Sequence, residues 1–182
     1  MALKSTVVKC ELQVSDMDRH HYATYPLTLA QHPSETDARL MVRIAAFALY
    51  ADERLQFGKG LSSDDEPDLW AHDLTGEVAL WIDLGQPDEA RIRRACGRAR
   101  EVVVVNYGGR GADVWWEKNA SALARPRNLR VIDIAHESVE ALAALHARSM
   151  RLQFMVQDGA AQLMDDTGSV ELALRLRRDV AA

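Results

Sequence analysis

Val78-Ala79-Leu80-Trp81-Ile82-Asp83-Leu84 is an apolar run broken by a single acid, and Gly85-Gln86-Pro87-Asp88 closes it. A run this short and this apolar reads as a strand buried on both faces. The closing tetrapeptide turns the chain into a helix over Glu89 to Arg100, with Pro87 near its start and acids in its first turn. Upstream, Leu69-Trp70-Ala71 and a polar turn through Asp73, Thr75 and Gly76 supply a hairpin partner. Downstream, Val102 to Val105 is four valines in a row, a second buried strand, and Leu129 to Ile134 is a third. Helices are expected from Asp113 to Leu123, stopped before Pro126, and from Glu137 to Arg148. Strands alternating with helices in this way define an α/β core.

Both ends of the chain carry a different pattern. From Thr6 to Val14, Val8, Cys10, Leu12 and Val14 alternate with Lys9, Glu11 and Gln13, which is a half-buried strand. A turn at Asp16 to Arg19 leads to a second strand from Tyr22 to Leu29, and the pair reads as an antiparallel hairpin. Ser34 is the expected N-cap of a helix running to about Glu53, with Asp37 completing a weak capping box. Leu40, Met41, Ile44, Phe47 and Ala48 form its buried stripe, and Glu35, Arg39 and Arg43 line another face. After Ser149 the alternation returns as a three-stranded meander whose last strand holds Val170, Leu172, Leu174 and Leu176. The terminal strands are expected to share one sheet. The reading is therefore a mixed sheet flanked by helices, with additional antiparallel strands from both termini, in one domain over residues 1–182.

The chain has 182 residues, enough to bury roughly 70% of its unfolded surface. Its 48% hydrophobic and 27% charged residues are an ordinary globular balance. No apolar run approaches the ~18 residues of a membrane span. The polar start, with no secretory signal, and only two cysteines, Cys10 and Cys96, point to a cytoplasmic protein. A net charge of −5 is unfavourable for gripping many phosphates of a nucleic acid.

The chemistry with most support lies in the hairpin. Asp68 opens one strand after Pro67, and Asp83 closes the other. Antiparallel neighbours are about 4.8 Å apart, so the open end of the hairpin can bring two carboxylates together. Such a pair repels unless a cation lies between them, and oxygen donors of this kind suit Mg²⁺ or Mn²⁺. Glu35 is a candidate third donor. The plainer reading is that acids in turns and at helix starts are solvated or capping.

His32-Pro33-Ser34-Glu35-Thr36, Tyr50-Ala51-Asp52-Glu53-Arg54-Leu55-Gln56-Phe57, Asp64-Asp65-Glu66-Pro67 and Trp81 to Glu89, with Trp115-Trp116 and Leu152 to Gly159, strongly resemble the bacterial YaeQ family over nearly the whole chain. The resemblance implies a restriction-endonuclease-like fold, related to the PD-(D/E)XK nucleases, with an altered active-site motif. It implies no particular substrate. Carried over by position, Glu35 matches the acid of the first core helix, Asp68 the "PD" carboxylate and Asp83 the second-strand acid. Glu66 and Asp65 are close enough to compete with Asp68 for its role. Where the pattern has lysine, this chain has Gly85. Gln86 is the nearest polar side chain and, being neutral, could only position water. Arg39, Arg43, Arg91 or Lys59 could supply a cation from elsewhere.

Two functions follow as expectations. The first is divalent-metal-dependent phosphodiester hydrolysis, with Asp68, Asp83, Glu66 and Glu35 as metal ligands and Glu35, Asp68, Asp83, Gln86 and Arg39 as catalytic residues. Nucleic acid would be its substrate class, against the sign of the net charge. The second is a catalytically inactive binding or protein-interaction module. Arg91, Arg94 and Arg98 share a helix face that could meet phosphate but reads more simply as a solvated face paired with Asp88 and Glu89. Asn106-Tyr107-Gly108-Gly109-Arg110-Gly111 could cradle a phosphate, but it lacks the full glycine spacing and reads as an ordinary turn.

Overall fold

The computed structural model describes residues 4–59 and 64–181. Met1 to Leu3, Gly60 to Ser63 and Ala182 lie outside the described residues. The chain divides into two compact units, residues 1–51 with 137–173, and residues 52–136 with 174–182.

The first unit holds the strands β1 (Thr6–Asp16), β2 (His21–Gln31), β8 (Ser149–Gln157), β9 (Ala160–Met164) and β10 (Ser169–Leu172) in one sheet of order β10-β9-β8-β1-β2. The terminal strands thus share a sheet, as the alternation implies. β1 meets β2 antiparallel, with Cys10 opposite Leu27, and β8 in parallel, with Leu12 beside Leu152. Val8, Cys10, Leu12 and Val14 are all buried, and so are Leu152 and Phe154. That is the outcome period-two alternation dictates when one face is covered.

Helix α1 (Asp37–Leu49) also belongs to this unit, with different ends from those expected. Its N-cap is Thr36, whose hydroxyl accepts from the Arg39 amide at 3.1 Å. Ser34 is committed instead to a local turn, bonded to the His32 ring at 2.6 Å. The helix stops at Leu49 rather than Glu53, because Asp52 forms its own turn by accepting from the Arg54 amide. Phe47 meets Tyr25 of β2 edge-on at 5.1 Å between ring centres.

The second unit is built on a six-stranded sheet of order β11-β7-β6-β5-β4-β3. Its strands are β3 (Leu55–Phe57), β4 (Leu69–His72), β5 (Val78–Leu84), β6 (Ala99–Asn106), β7 (Leu129–Ile134) and β11 (Leu174–Arg178). β5, β6 and β7 run parallel, while β3 and β4 at one edge and β11 at the other are antiparallel. Helices α2 (Glu89–Arg98) and α3 (Arg110–Asn119) cover one face. There Ile92, Ala95 and Trp115 pack on Trp81, Val102, Val104, Leu129 and Val131. Each large apolar side chain buried in this way contributes about 1.5–3 kcal/mol.

Three further expectations are corrected. The last strand of the expected meander is two strands, because the chain breaks at Ala173. β10 stays with β9, whereas β11 crosses to pair with β7 in the other unit. Period two fixes which face a residue takes, not which sheet it joins. α3 begins at Arg110 and ends at Asn119, earlier than the expected Asp113 to Leu123, because Gly109 adopts a left-handed φ of 59° that opens the helix there. A short 3-10 turn, Ala122–Ala124, follows. The last helix, α4 (His136–Ala144), ends before Arg148, whose carbonyl accepts from the Lys9 amide where β8 joins β1.

Candidate functional site

Apolar side chains fill the middle of the parallel strands, and polar ones follow at their carboxyl ends on the same face. Trp81 is followed two residues later by Asp83, Val104 by Asn106, and Val131 by Asp133. Crevices at the carboxyl ends of parallel strands are where open α/β sheets most often bind ligands. Asp83, Asn106 and Asp133 are all buried there.

Register decides which acid near Pro67 faces Asp83. Leu69 pairs with Ile82 and Trp70 with Trp81, so one step further Asp68 lies opposite Asp83, on the face that Trp70 and Trp81 share. The Asp68 Oδ2 accepts from the Leu84 amide at 2.9 Å, which ties it to the neighbouring strand. Glu66 points elsewhere: its carboxylate accepts from the Lys59 amide at 3.0 Å. A close approach holds this segment in place. A Cβ at Gly58 would lie 1.9 Å from the Pro67 carbonyl oxygen, and the Gly58 amide donates to the Asp68 carbonyl at 2.9 Å.

Arg91, in the first turn of α2, supplies the cation. Its Nε donates to one oxygen of Asp83 at 2.9 Å and its Nη2 to the other at 3.0 Å. The same guanidinium donates to the carbonyls of Asp64 and Glu66, both at 2.9 Å. Asp88 caps the helix by accepting from the Arg91 amide at 2.8 Å, so the residue is held at both backbone and tip. The hydrogen bond to Asp83 raises the Arg91 pKa; burial opposes it, and the charges of Asp83, Asp68 and Asp64 add to it. Arg98, two turns along α2, donates to the Asp65 carbonyl at 3.0 Å and lies 5.0 Å from the centre of the Trp81 ring. The face expected to be solvated therefore clamps residues 64–66 down beside the sheet.

The other expected site residues have partners of their own. Glu35, in the first unit, is held by Arg43 at 2.6 Å and by Arg39 at 2.8 Å. Gln86 is exposed and donates to the Tyr107 carbonyl at 3.2 Å. Its amide lies across the glycine turn, 3.3 Å from where a Cβ of Gly108 would be, and that turn is closed by its own Gly111 to Gly108 bond. Sequence reasoning missed the role of Arg177, which holds Asp133 at 2.6 Å and also reaches Asp113. A basic residue on an outward strand position gives no sign of such a target.

As arranged, these donors do not fit a divalent ion. Both oxygens of Asp83 are bonded to a guanidinium, and Oδ2 of Asp68 is bonded to an amide. Among the described residues no three His, Cys, Asp or Glu side chains are placed to share an ion. Nor is any described helix long and apolar enough to cross a membrane.

Fold and site together define a mixed α/β protein with a parallel core and two opposed carboxylates at its strand ends, one of them bound by an arginine. The sequence pattern of the family described as YaeQ protein matches residues 1–174, and the chain belongs to that family. It is 44% identical to YaeQ of Escherichia coli (strain K12) over 174 residues, 96% of each chain, and 43% identical to YaeQ of Salmonella typhi over the same span. The crystal structure of YaeQ from Xanthomonas axonopodis pv. citri superposes with a TM-score of 0.93 at 58% identity, covering 98% of this chain and 99% of that one. The YaeQ structure from Pseudomonas syringae gives 0.92 at 35% identity, covering 96% and 97%.

Proposed function

We propose that this chain is a binding or protein-interaction module that keeps a nuclease-like architecture without hydrolysing phosphodiesters. The observation that carries this reading is the bidentate bond between Arg91 and Asp83. A hydrolytic site of the PD-(D/E)XK type needs those oxygens for a divalent ion. A divalent ion could reach those oxygens only by displacing the guanidinium that already satisfies both of them. Gly85 offers no charge at the motif's lysine position, and Gln86 is spent on the Tyr107 carbonyl. The kinship with the PD-(D/E)XK nucleases is part of the same proposal. Its support is the hairpin β4–β5, the parallel β5–β6 pair joined through α2, and the register-opposed Asp68 and Asp83.

A second reading is metal-dependent phosphodiester hydrolysis, supported by the same opposed carboxylates and by the positive charge that Arg91 brings to them. One experiment separates the two. Calorimetry with Mn²⁺ and Mg²⁺, and incubation with single- and double-stranded DNA and RNA, are run on wild type, Arg91→Ala and Asp83→Ala. The binding-module reading expects no metal heat and no cleavage by wild type. Metal-dependent cleavage by wild type that disappears in Asp83→Ala would overturn it and establish the second reading.

A further inference from the structure

Between α2 and the turn that follows α3, the second unit has a cleft of about 550 Å³. Arg93, Lys118 and Arg125 line it against a single carboxylate, Glu89, and that carboxylate is paired with Arg93. Lys118 and Arg125 form no ion pair with any described residue. Ser121, on the same wall, leads into the 3-10 turn without making a side-chain capping bond. Three side-chain donors therefore line one concavity, none of them bonded to a described residue. Leu123, which is buried, Ala122 and Pro126 complete the lining with apolar surface. In a chain of net charge −5, two cations with no ion-pair partner among the described residues are a local reversal of sign.

We propose that this cleft binds a phosphomonoester, a small molecule carrying a terminal phosphate on an apolar body. The phosphate dianion carries close to two negative charges and presents three acceptor oxygens. That matches two unpaired cations and a hydroxyl, whereas a monocarboxylate would leave one cation uncompensated. The Arg125 guanidinium provides a planar fork for two of those oxygens, and Lys118 provides a point charge. The position of Lys118 in the last turn of α3 also suits the helix dipole, a role that uses its charge and leaves its donors available. The volume is far larger than a phosphate ion needs and falls within the range of small-molecule sites, about 300–1,000 Å³. The site is separate from Asp83 and Arg91, and the proposal stands whichever function holds for that pair.

The test is calorimetry at low ionic strength with EDTA present, using phenyl phosphate, inorganic phosphate and phenol as probes. Phenyl phosphate is expected to bind, inorganic phosphate more weakly, and phenol not at all. The double variant K118A/R125A, both exposed positions, should lose at least about tenfold in phenyl phosphate affinity, a loss typical of removing charge-assisted hydrogen bonds. In parallel, phenyl phosphate titrated into isotope-labelled wild type should shift the amide resonances of Lys118 to Arg125. That measurement holds even if the double variant folds poorly. Binding of phenol as tight as that of phenyl phosphate, undiminished binding in the double variant, or resonance shifts confined elsewhere would each overturn the proposal.

Discussion

Arg91 bonds to both carboxylate oxygens of Asp83, at 2.9 and 3.0 Å, and from the same guanidinium reaches the carbonyls of Asp64 and Glu66. The geometry is the fork-to-carboxylate match for which arginine is suited and lysine is not. Two further buried acids are also paired with arginine, though not through a bidentate fork: Glu35 with Arg43, and Asp133 with Arg177, each pair with little exposed surface. A buried carboxylate is tolerated only when paired and hydrogen-bonded, so each of these acids constrains the position of one arginine. At Asp83 the constraint extends further, because Arg91 also fixes the loop that leads into Asp68.

Arg91→Ala should therefore cost more than a surface substitution. It leaves Asp83, only 2% exposed, with a buried charge and no fork partner, for an expected loss of about 3 kcal/mol in urea denaturation. Asp83→Asn/Arg91→Met removes both charges and should lose less than the two single variants added together, with a coupling of about 1–3 kcal/mol. Additive losses would mean that the pair is not energetically linked.

Gly58→Ala probes the loop from the other side. The new methyl would meet the Pro67 carbonyl oxygen at 1.9 Å, an atom of the backbone that cannot rotate away. The segment from Glu66 to Asp68 must shift, at an expected cost of about 1–3 kcal/mol. The Leu84 amide, which donates to Asp68, should also exchange faster with solvent. Unchanged exchange at Leu84 together with unchanged stability would contradict the close approach.

Much of this arrangement is legible in the sequence, for identifiable reasons. The four valines from Val102 to Val105 and the alternation from Val8 to Val14 are short-range patterns, and the strands they specify are present. That Asp68 and Asp83 lie near the open ends of one hairpin is legible too, but their direct opposition is set by a register shift between Ala71 and His72 that counting does not reveal. What counting along the chain cannot supply is a partner distant in sequence. The sequence offers Arg91 only as one of four candidate cations, with Arg39, Arg43 and Lys59, and its bonds to Asp83 are what single it out. Arg177 is separated from Asp133 by 44 residues, and β1 from its parallel neighbour β8 by most of the chain. The departure of β11 to a second sheet hinges on Ala173 alone, with Leu174 and Leu176 left exposed in a pattern that still reads as alternation.

Two exposed turns should register acid in the same direction. Asp73 accepts from the Thr75 hydroxyl and from the amides of Thr75 and Glu77, and Asp165 accepts from the Thr167 hydroxyl and the amides of Thr167 and Gly168. The threonine hydroxyls, then the amide bonds, hold both carboxyls below their ordinary 3.8; at Asp73, Arg100 adds its charge. A depressed folded value means that these turns contribute their stability above 3.8 and lose it as pH falls through the folded value. Amide resonances of Thr75 and Thr167 should titrate with midpoints below 3.8, and Thr75→Ala should move the first midpoint upward. A midpoint at or above 3.8 for either turn would refute the hydrogen-bond pattern.

The two cysteines titrate at the opposite end of the scale. Burial pushes the Cys10 thiol from 9.0 up to about 12, with the charge of Glu11 adding to it. Cys96 is pushed to about 11 by burial, eased by Arg178. A thiol whose folded value lies above its unfolded value favours the folded chain fully below the unfolded value, and that contribution is lost as pH rises from 9.0 toward the folded value. Because the thiolate is the reactive form, neither residue should react with Ellman's reagent in the native protein near about pH 8, and both should react once urea unfolds it. Stability measured by urea denaturation should decline as pH is raised past 9.0. Cys10→Ser, which places a hydroxyl among the apolar side chains beneath β1, should lower stability by about 1–3 kcal/mol and abolish part of that decline. Rapid labelling of Cys10 in the folded protein would show that the β1 face is open to solvent, contrary to its 2% exposure.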